Sequence, residues 1–180
     1  MCGIAGLIHR GKSSNVGSEL QQMLQALKHR GPDSTGYALY AENDGKNFIM
    51  RFKVGENVGE GSTSVNEDAS VYDERKKLVD QMLKELGANI VKDEKLTPYS
   101  YRYEMQFDKD LMEFSKKIES VEMTEILSLG KSLELVKDIG DASVVSKQYG
   151  LDKIKGTHAI GHSRMATESG VDIRSAHPFW

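Results

Sequence analysis

The first eight residues place the strongest constraint on the fold. Cys2 is followed directly by an apolar run, Gly3 to Ile8, which ends at a polar stretch. A short apolar run bounded by glycine and polar residues is typical of a buried strand. We therefore predict that the amino terminus is anchored in a sheet, whereas most chain termini fray.

Composition limits the classes of protein to which the chain can belong. Its 180 residues, 38% hydrophobic and 28% charged, suffice for one sizeable core, and we predict one domain with an insertion. The net charge of −3 comes from interspersed charges of both signs, which argues against a nucleic-acid partner. No apolar run approaches the roughly 20 residues of a membrane span, and we find no export signal. With one cysteine, a cytoplasmic location fits best.

Local patterns predict the elements of the first part of the chain. A capping-box pattern at Ser18 precedes a helical repeat, so we predict a helix from about Glu19 to Lys28. Apolar stretches at 37–40 and 48–52 flank Asn43-Asp44-Gly45, a strong hairpin signal. We predict two antiparallel strands joined by this turn.

From about residue 55 the composition shifts, first to a loop rich in Gly, Ser and Asn and then to alternating helices and strands. We interpret residues from about 55 to 155 as a structural insertion without a catalytic constellation. Its predicted elements are a helical stripe at 78–86, a strand at 99–107, a helix at 111–118, a strand at 132–137 and a helix at 142–149.

The closing segment is rich in residues that form sites. We predict a strand at 157–162 and a loop at 163–175, and loops at strand ends commonly carry functional residues. His158 and His162 would lie roughly 13 Å apart on such a strand, too far for one metal ion, so we predict no zinc site. The chain stops at Trp180 without a polar tail or a helix cap, and we expect the natural protein to continue.

Two residues in this pattern point to chemistry. If Met1 is removed, Cys2 carries both a thiol and an α-amine, which can act together as nucleophile and base. The alternative is a small buried residue that happens to be second. Arg164 offers a planar fork for a carboxylate, and the hydroxyls of Ser163, Thr167 and Ser169 could surround a ligand. His177, held extended by the proline after it, could line a pocket or simply turn the chain.

Four motifs in this order make the chain recognisable. The motifs are Met1-Cys2-Gly3-Ile4-Ala5-Gly6, His29-Arg30-Gly31-Pro32-Asp33-Ser34, Gly161-His162-Ser163-Arg164-Met165-Ala166-Thr167 and Ala176-His177-Pro178-Phe179. With them the chain resembles the class II glutamine amidotransferases, a branch of the N-terminal nucleophile hydrolases. Its insertion is most similar to the amidotransferase part of archaeal-type glutamate synthases and of N-methylglutamate synthases.

The resemblance implies an α+β fold, an αββα four-layer sandwich that is incomplete at its carboxyl end and carries a long α/β insertion. It implies that Cys2 attacks the side-chain amide of glutamine and that ammonia passes to a synthase partner, where a flavin and an iron-sulfur cluster would reside. This chain would hold no cofactor and no metal. The other implied roles are carboxylate binding by Arg164, glutamine orientation by Met165 and Thr167, pocket lining by His177, and support of the nucleophile end by Arg30 and Asp33.

The family pattern also leaves alternatives open. The family continues into an Asn-Gly pair that stabilises the oxyanion and an acidic residue that holds the substrate amine, and this sequence contains neither. Loss of one oxyanion donor typically costs roughly 100- to 1,000-fold in rate, so we expect the chain alone to be a poor glutaminase. A non-catalytic, glutamine-binding or regulatory module is the main alternative, which a retained Met1 would favour. A hydrolase that cleaves a different amide is a third.

Overall fold

The computed structural model describes residues 2–43, 45–56, 67–165 and 176–179. Eight strands and four α-helices lie in these ranges, which confirms the α+β class. In chain order they are β1 (Gly3–Ile8), α1 (Val16–Ala26), β2 (Ser34–Ala41), β3 (Phe48–Lys53), α2 (Ala69–Glu85), β4 (Asn89–Lys95), β5 (Ser100–Gln106), α3 (Leu111–Ile118), β6 (Glu125–Gly130), β7 (Leu133–Ile139), α4 (Ala142–Tyr149) and β8 (Gly156–Arg164).

The chain divides into two compact units, each with one four-stranded antiparallel sheet. The first unit contains described residues 2–42, 132–165 and 176–179, and the second contains 43, 45–56 and 67–131. Among the described helices, none combines the length and apolar character that a membrane span requires.

In the first unit the strand order is β1-β8-β2-β7, so that β8 lies between β1 and β2. Helix α1 packs on β1 and β8, and α4 packs on β2 and β7. A Cβ added to Gly161 of β8 would lie 2.5 Å from Cδ1 of Leu24, which shows that this face of β8 is turned toward α1. Tyr37 of β2 donates its hydroxyl to the Ala142 carbonyl of α4 at 2.7 Å. The two helices therefore cover one face of the sheet.

The second unit has the strand order β4-β5-β3-β6 and its own core. Tyr101, Tyr103 and Met105 of β5 are buried, which confirms the alternation predicted for 99–107. They share the core with Val79 and Leu83 of α2. The stripe predicted on this helix thus supplies buried residues.

The predicted hairpin is wrong, although both of its strands exist. Gly45 has a φ of +73° and Asn43 donates to the Asn47 carbonyl, so the chain does turn there. However, β2 pairs with β7 and β8, whereas β3 pairs with β5 and β6. Local turn chemistry specifies a reversal of the chain, but long-range pairing decides which strands become neighbours.

The predicted start of the first helix is also wrong. Helix α1 begins at Val16, with Asn15 in the N-cap position, three residues before the predicted start. The capping-box assignment fails because Ser18 lies inside α1. Outside the helix, Ser14 donates its hydroxyl to Glu19 at 2.7 Å, and the His9 ring contacts the same carboxylate at 2.7 Å. Val16 is fully buried, which favours the earlier start.

Most other elements agree with the sequence patterns, but the unit boundaries differ from the expected insertion. β1, α3 and α4 have the predicted bounds, while β4 and β6 were not predicted. The expected insertion at about 55–155 included β7 and α4, which belong to the first unit because they pair with β2 and pack on its sheet. That the two units form one domain with an insertion stays a prediction.

Candidate functional site

A cavity of about 600 Å³ opens at the end of the first sheet where β1 begins and β8 ends. Such a volume lies within the range of about 300–1,000 Å³ that is typical of small-molecule sites. The described residues that line it are Cys2, Ile4, Ile160, Gly161, His162, Arg164, His177, Pro178 and Phe179. The thiol-bearing Cys2 is exposed.

Strand register brings the residues of this site together. Gly3 lies opposite Ser163 in the pairing of β1 with β8, and Ser34 lies opposite Arg164 in the pairing of β2 with β8. Cys2 precedes Gly3 by one residue, so it lies at the same end of the sheet as Arg164. Paired strands are about 4.8 Å apart, which makes these residues close neighbours although they are distant in sequence.

The face of β8 that points away from α1 carries the side chains of the cavity. Side chains two residues apart on a strand share a face, so His162 and Arg164 point to one side. Ser163 points to the other side, with Gly161, toward α1. Ser163 therefore does not line the cavity, and the expectation that its hydroxyl surrounds a ligand is wrong.

The predicted supporting segment around Asp33 packs against the end of β8. The Asp33 amide donates to the Arg164 carbonyl at 3.1 Å, and the Asp33 carbonyl accepts from the Gly140 amide at 2.9 Å. A Cβ on Gly31 would lie 2.5 Å from the Arg164 carbonyl carbon, so only glycine allows this approach. Half-buried Arg30 ends the short 3-10 turn Lys28–Arg30 just before it. The segment fixes the backbone of Arg164.

One wall of the cavity is a short segment, 176–179, that rests on β2 and β8. A Cβ on Gly36 of β2 would lie only 1.8 Å from the His177 carbonyl oxygen and 2.9 Å from Cδ of Pro178. The His177 amide donates to Nδ1 of His162 at 3.3 Å, and the two imidazole rings are 5.0 Å apart in an edge-to-face arrangement. The Phe179 ring lies 4.5 Å from the His177 ring.

The described lining is cationic and apolar. Arg164 contributes a permanent positive charge, and no carboxylate is among the described residues that line the cavity. Burial lowers the pKa of His162 below 6.5, and the nearby charges of His177 and Arg164 lower it further. His162 is therefore a neutral imidazole near pH 7. Such a lining suits a small ligand with an anionic end.

Comparisons with known proteins give matches that bear on the function of this site. Residues 1–57 match the model of a family described as glutamine amidotransferase domain. The chain is 34% identical to a protein of Methanothermobacter thermautotrophicus named "Putative glutamine amidotransferase", over 99% of the chain and 56% of that protein. It is 28% identical to the glutamine amidotransferase-like protein GlxB of Rhizobium meliloti, over 99% of the chain and 54% of that protein. The chain thus spans about half the length of these relatives.

The remaining predicted site residues have different positions. Half-buried Met165 follows β8 and is not among the residues that line the cavity. Thr167, together with Ser169 and Met1, lies outside the described residues. His158 stacks on the Tyr40 ring with centroids 3.8 Å apart. In the described ranges, no group of three His, Cys, Asp or Glu side chains could hold a metal ion.

Sequence reasoning missed His162 and Gly36. The spacing of two residues between His162 and Arg164 is the signal that could have found His162, because it predicts that both side chains face the same site. Gly36 carries no comparable signal, because its role depends on a segment far along the chain that reaches it only in the fold.

We predict that Gly36→Ala displaces the segment 176–179 from the sheet. The added methyl group would overlap the His177 carbonyl, and overpacking of this kind typically costs about 1–3 kcal/mol. The His177 amide should then exchange with solvent at least tenfold faster, as measured by hydrogen exchange, with little loss of stability elsewhere.

Gly6→Ala is the matched control, because its Cβ would lie 3.4 Å from the nearest atom, the Ala159 carbonyl oxygen. Equal exchange of the His177 amide in both variants would contradict the assigned contact.

Proposed function

We propose that this chain is the glutaminase part of a class II glutamine amidotransferase, in which Cys2 cleaves the side-chain amide of glutamine. The observation that supports the proposal most strongly is that Cys2 and Arg164 line the same cavity from neighbouring strands. A nucleophile at one position and a carboxylate-binding group at another are the two features that a glutamine-specific hydrolase needs.

Arg164 is the proposed partner of the glutamine α-carboxylate. A guanidinium can donate two parallel hydrogen bonds to a carboxylate, and such charge-assisted pairs are about twice as strong as neutral ones. Arg164 is only 9% exposed, and its backbone is held by Asp33, so its position is fixed before a ligand arrives. A fixed fork loses less entropy on binding than a mobile lysine would.

The apolar walls suit the two methylene groups between the two ends of glutamine. Ile4 and Ile160 are 70% and 46% exposed, and both line the cavity with Pro178 and Phe179. A ligand that covers such side chains gains roughly 25 cal/mol for each Å² of apolar surface removed from water. Binding of the carboxylate at Arg164 would then leave the side-chain amide to reach the nucleophile.

The chemistry follows from Cys2 as an amino-terminal residue. Once Met1 is removed, the α-amine accepts the thiol proton, and Sγ attacks the δ-carbon of glutamine. The α-ammonium group then protonates the amide nitrogen, the C–N bond breaks and ammonia leaves. Water, deprotonated by the amine, attacks the thioester, the C–S bond breaks, and glutamate departs with the thiol restored.

The further fate of ammonia belongs to the same proposal. We propose that it passes to a synthase subunit or domain of the glutamate synthase type, on the basis of the insertion and of the greater length of the relatives. A flavin and an iron-sulfur cluster would then reside in that partner. One cysteine cannot supply the thiolates of such a cluster, so the residues of this chain do not fit it.

We predict that the diazoketone analogue of glutamine forms one covalent adduct at Cys2 of the full-length protein. The thiolate displaces N2 from the analogue, and the mass of the intact protein increases by one adduct. The same spectrum should show that Met1 has been removed, and excess glutamine should block the reaction.

Cys2→Ala and Cys2→Ser are the controls for this adduct, since both keep a small residue before β1 and lack the thiol. An unmodified wild-type protein that retains Met1 would contradict the catalytic proposal. It would favour the alternative, a non-catalytic module that binds glutamine or a regulatory partner.

We predict that Arg164→Lys raises the KM for glutamine about 10- to 100-fold and changes kcat much less. Lysine keeps the charge but loses the planar fork, and hydrogen bonds to charged groups are worth about 1.5–3 kcal/mol. Glutamate release assays of the full-length protein give both constants. Arg10→Lys, at an exposed position, is the control. A KM that changes equally little in both variants would show that Arg164 does not bind the carboxylate.

A further inference from the structure

His162 lines the cavity and contacts the segment 176–179, and the proposed reaction gives it no role. It is 5% exposed, it lines the cavity, and its Nδ1 atom accepts the backbone amide of His177. It also lies directly opposite Gly36 in the pairing of β2 with β8. We call this cross-strand pair, Gly36 and His162, the seat of the segment 176–179.

The two residues of the seat accommodate different backbone groups of His177. Gly36 has no side chain, which leaves room for the His177 carbonyl above the strand. His162 supplies an acceptor for the amide of the same residue. The backbone carbonyl and amide of His177 thus both lie against the same cross-strand pair. These two contacts fix the distance between the segment 176–179 and the sheet.

The hydrogen bond also fixes the protonation of His162. A neutral imidazole has one acceptor nitrogen and one N–H, whereas an imidazolium has two N–H groups and no acceptor. Because Nδ1 accepts from His177, the proton of the neutral ring lies on Nε2. A second proton on Nδ1 would convert the acceptor into a donor and abolish the bond.

We propose that His162 is a positioning residue, whose neutral Nδ1 holds His177 and its neighbours as the wall of the glutamine site. The inference rests on the proposed function for its catalytic consequence, but not for the contact itself. His162 acts through His177 and need not touch the reacting atoms.

The charges around His162 make the seat sensitive to acid. Arg164 on its own strand and His177 on the seated segment face it, Cys2 lies in the same cavity, and its cross-strand neighbours Ile4 and Gly36 are uncharged. Burial, and to a smaller extent electrostatic interaction with His177 and Arg164, lowers its pKa below 6.5. Below that pH, the protein binds fewer protons when the segment 176–179 rests on the seat than when the segment is released. Acidification therefore favours release, whereas the segment stays in place above that pH.

The experiment measures the rate of adduct formation at Cys2 with the diazoketone analogue between about pH 5 and 8 in the full-length protein. His162→Ala lacks the acceptor and should react about three- to tenfold more slowly at neutral pH. His162→Asn offers an amide oxygen that accepts a hydrogen bond but does not titrate, and it should restore the rate at neutral pH.

The decisive quantity is the ratio of the wild-type rate to the His162→Asn rate, because the titration of Cys2 cancels in it. We expect a constant ratio near neutral pH and, as His162 becomes protonated, a decline that levels off about three- to tenfold lower, the loss expected for His162→Ala. His158→Asn, four residues earlier on the same strand and without a contact to the seat, should follow the wild type. A ratio that stays constant with pH, or one that His158→Asn changes equally, would overturn the proposal.

The NMR resonance of the His177 amide separates this proposal from the catalytic one. Its shift with pH should be larger in the wild type than in His162→Asn, because only the wild type adds the titration of His162, whether or not Cys2 reacts. If no Cys2 adduct forms at any pH, the proposed function fails, and the amide resonance still decides whether His162 holds the wall. An amide resonance with the same dependence on pH in both proteins would refute the seat.

Discussion

The antiparallel pairing of β8 with β1 on one side and β2 on the other is the interaction on which the candidate site depends. It places Gly3 opposite Ser163 and Ser34 opposite Arg164, so the starts of β1 and β2 meet the end of β8 at one end of the sheet. A shift of one residue in this register would move Arg164 to the face covered by α1. The site therefore exists only in this register, and the helix that covers the opposite face stabilises it.

Backbone contacts, more than side-chain contacts, position the site. The Arg164 carbonyl accepts the Asp33 amide, and the approach of Gly31 leaves no space for a Cβ. On β2, Gly36 makes room for the His177 carbonyl. Each contact joins residues that are far apart in sequence. The glycines at these places are needed for close approach of two backbone segments, which any side chain would prevent.

The sequence predicted what depends on local patterns and failed where distant segments meet. β1, α3 and α4 were predicted correctly because apolar spacing and capping are read within a few residues. The hairpin after β2 was wrong because the turn signal says nothing about which strands pair. Within the site, Cys2 was singled out by its position after Met1 and Arg164 by its guanidinium at the end of a strand, and the family resemblance gave both their proposed roles. His162 could have been added from the period of two, whereas Gly36 required the fold.

The central claim is that one cavity binds glutamine with its carboxylate at Arg164 and its side-chain amide at residue 2. The most direct measurement is the crystal structure of the full-length Cys2→Ala protein with glutamine bound. The account predicts the α-carboxylate within hydrogen-bonding distance, about 2.7–3.2 Å, of the Arg164 guanidinium, and the amide carbon beside residue 2. Glutamine bound elsewhere, or with its carboxylate toward residue 2, would contradict it.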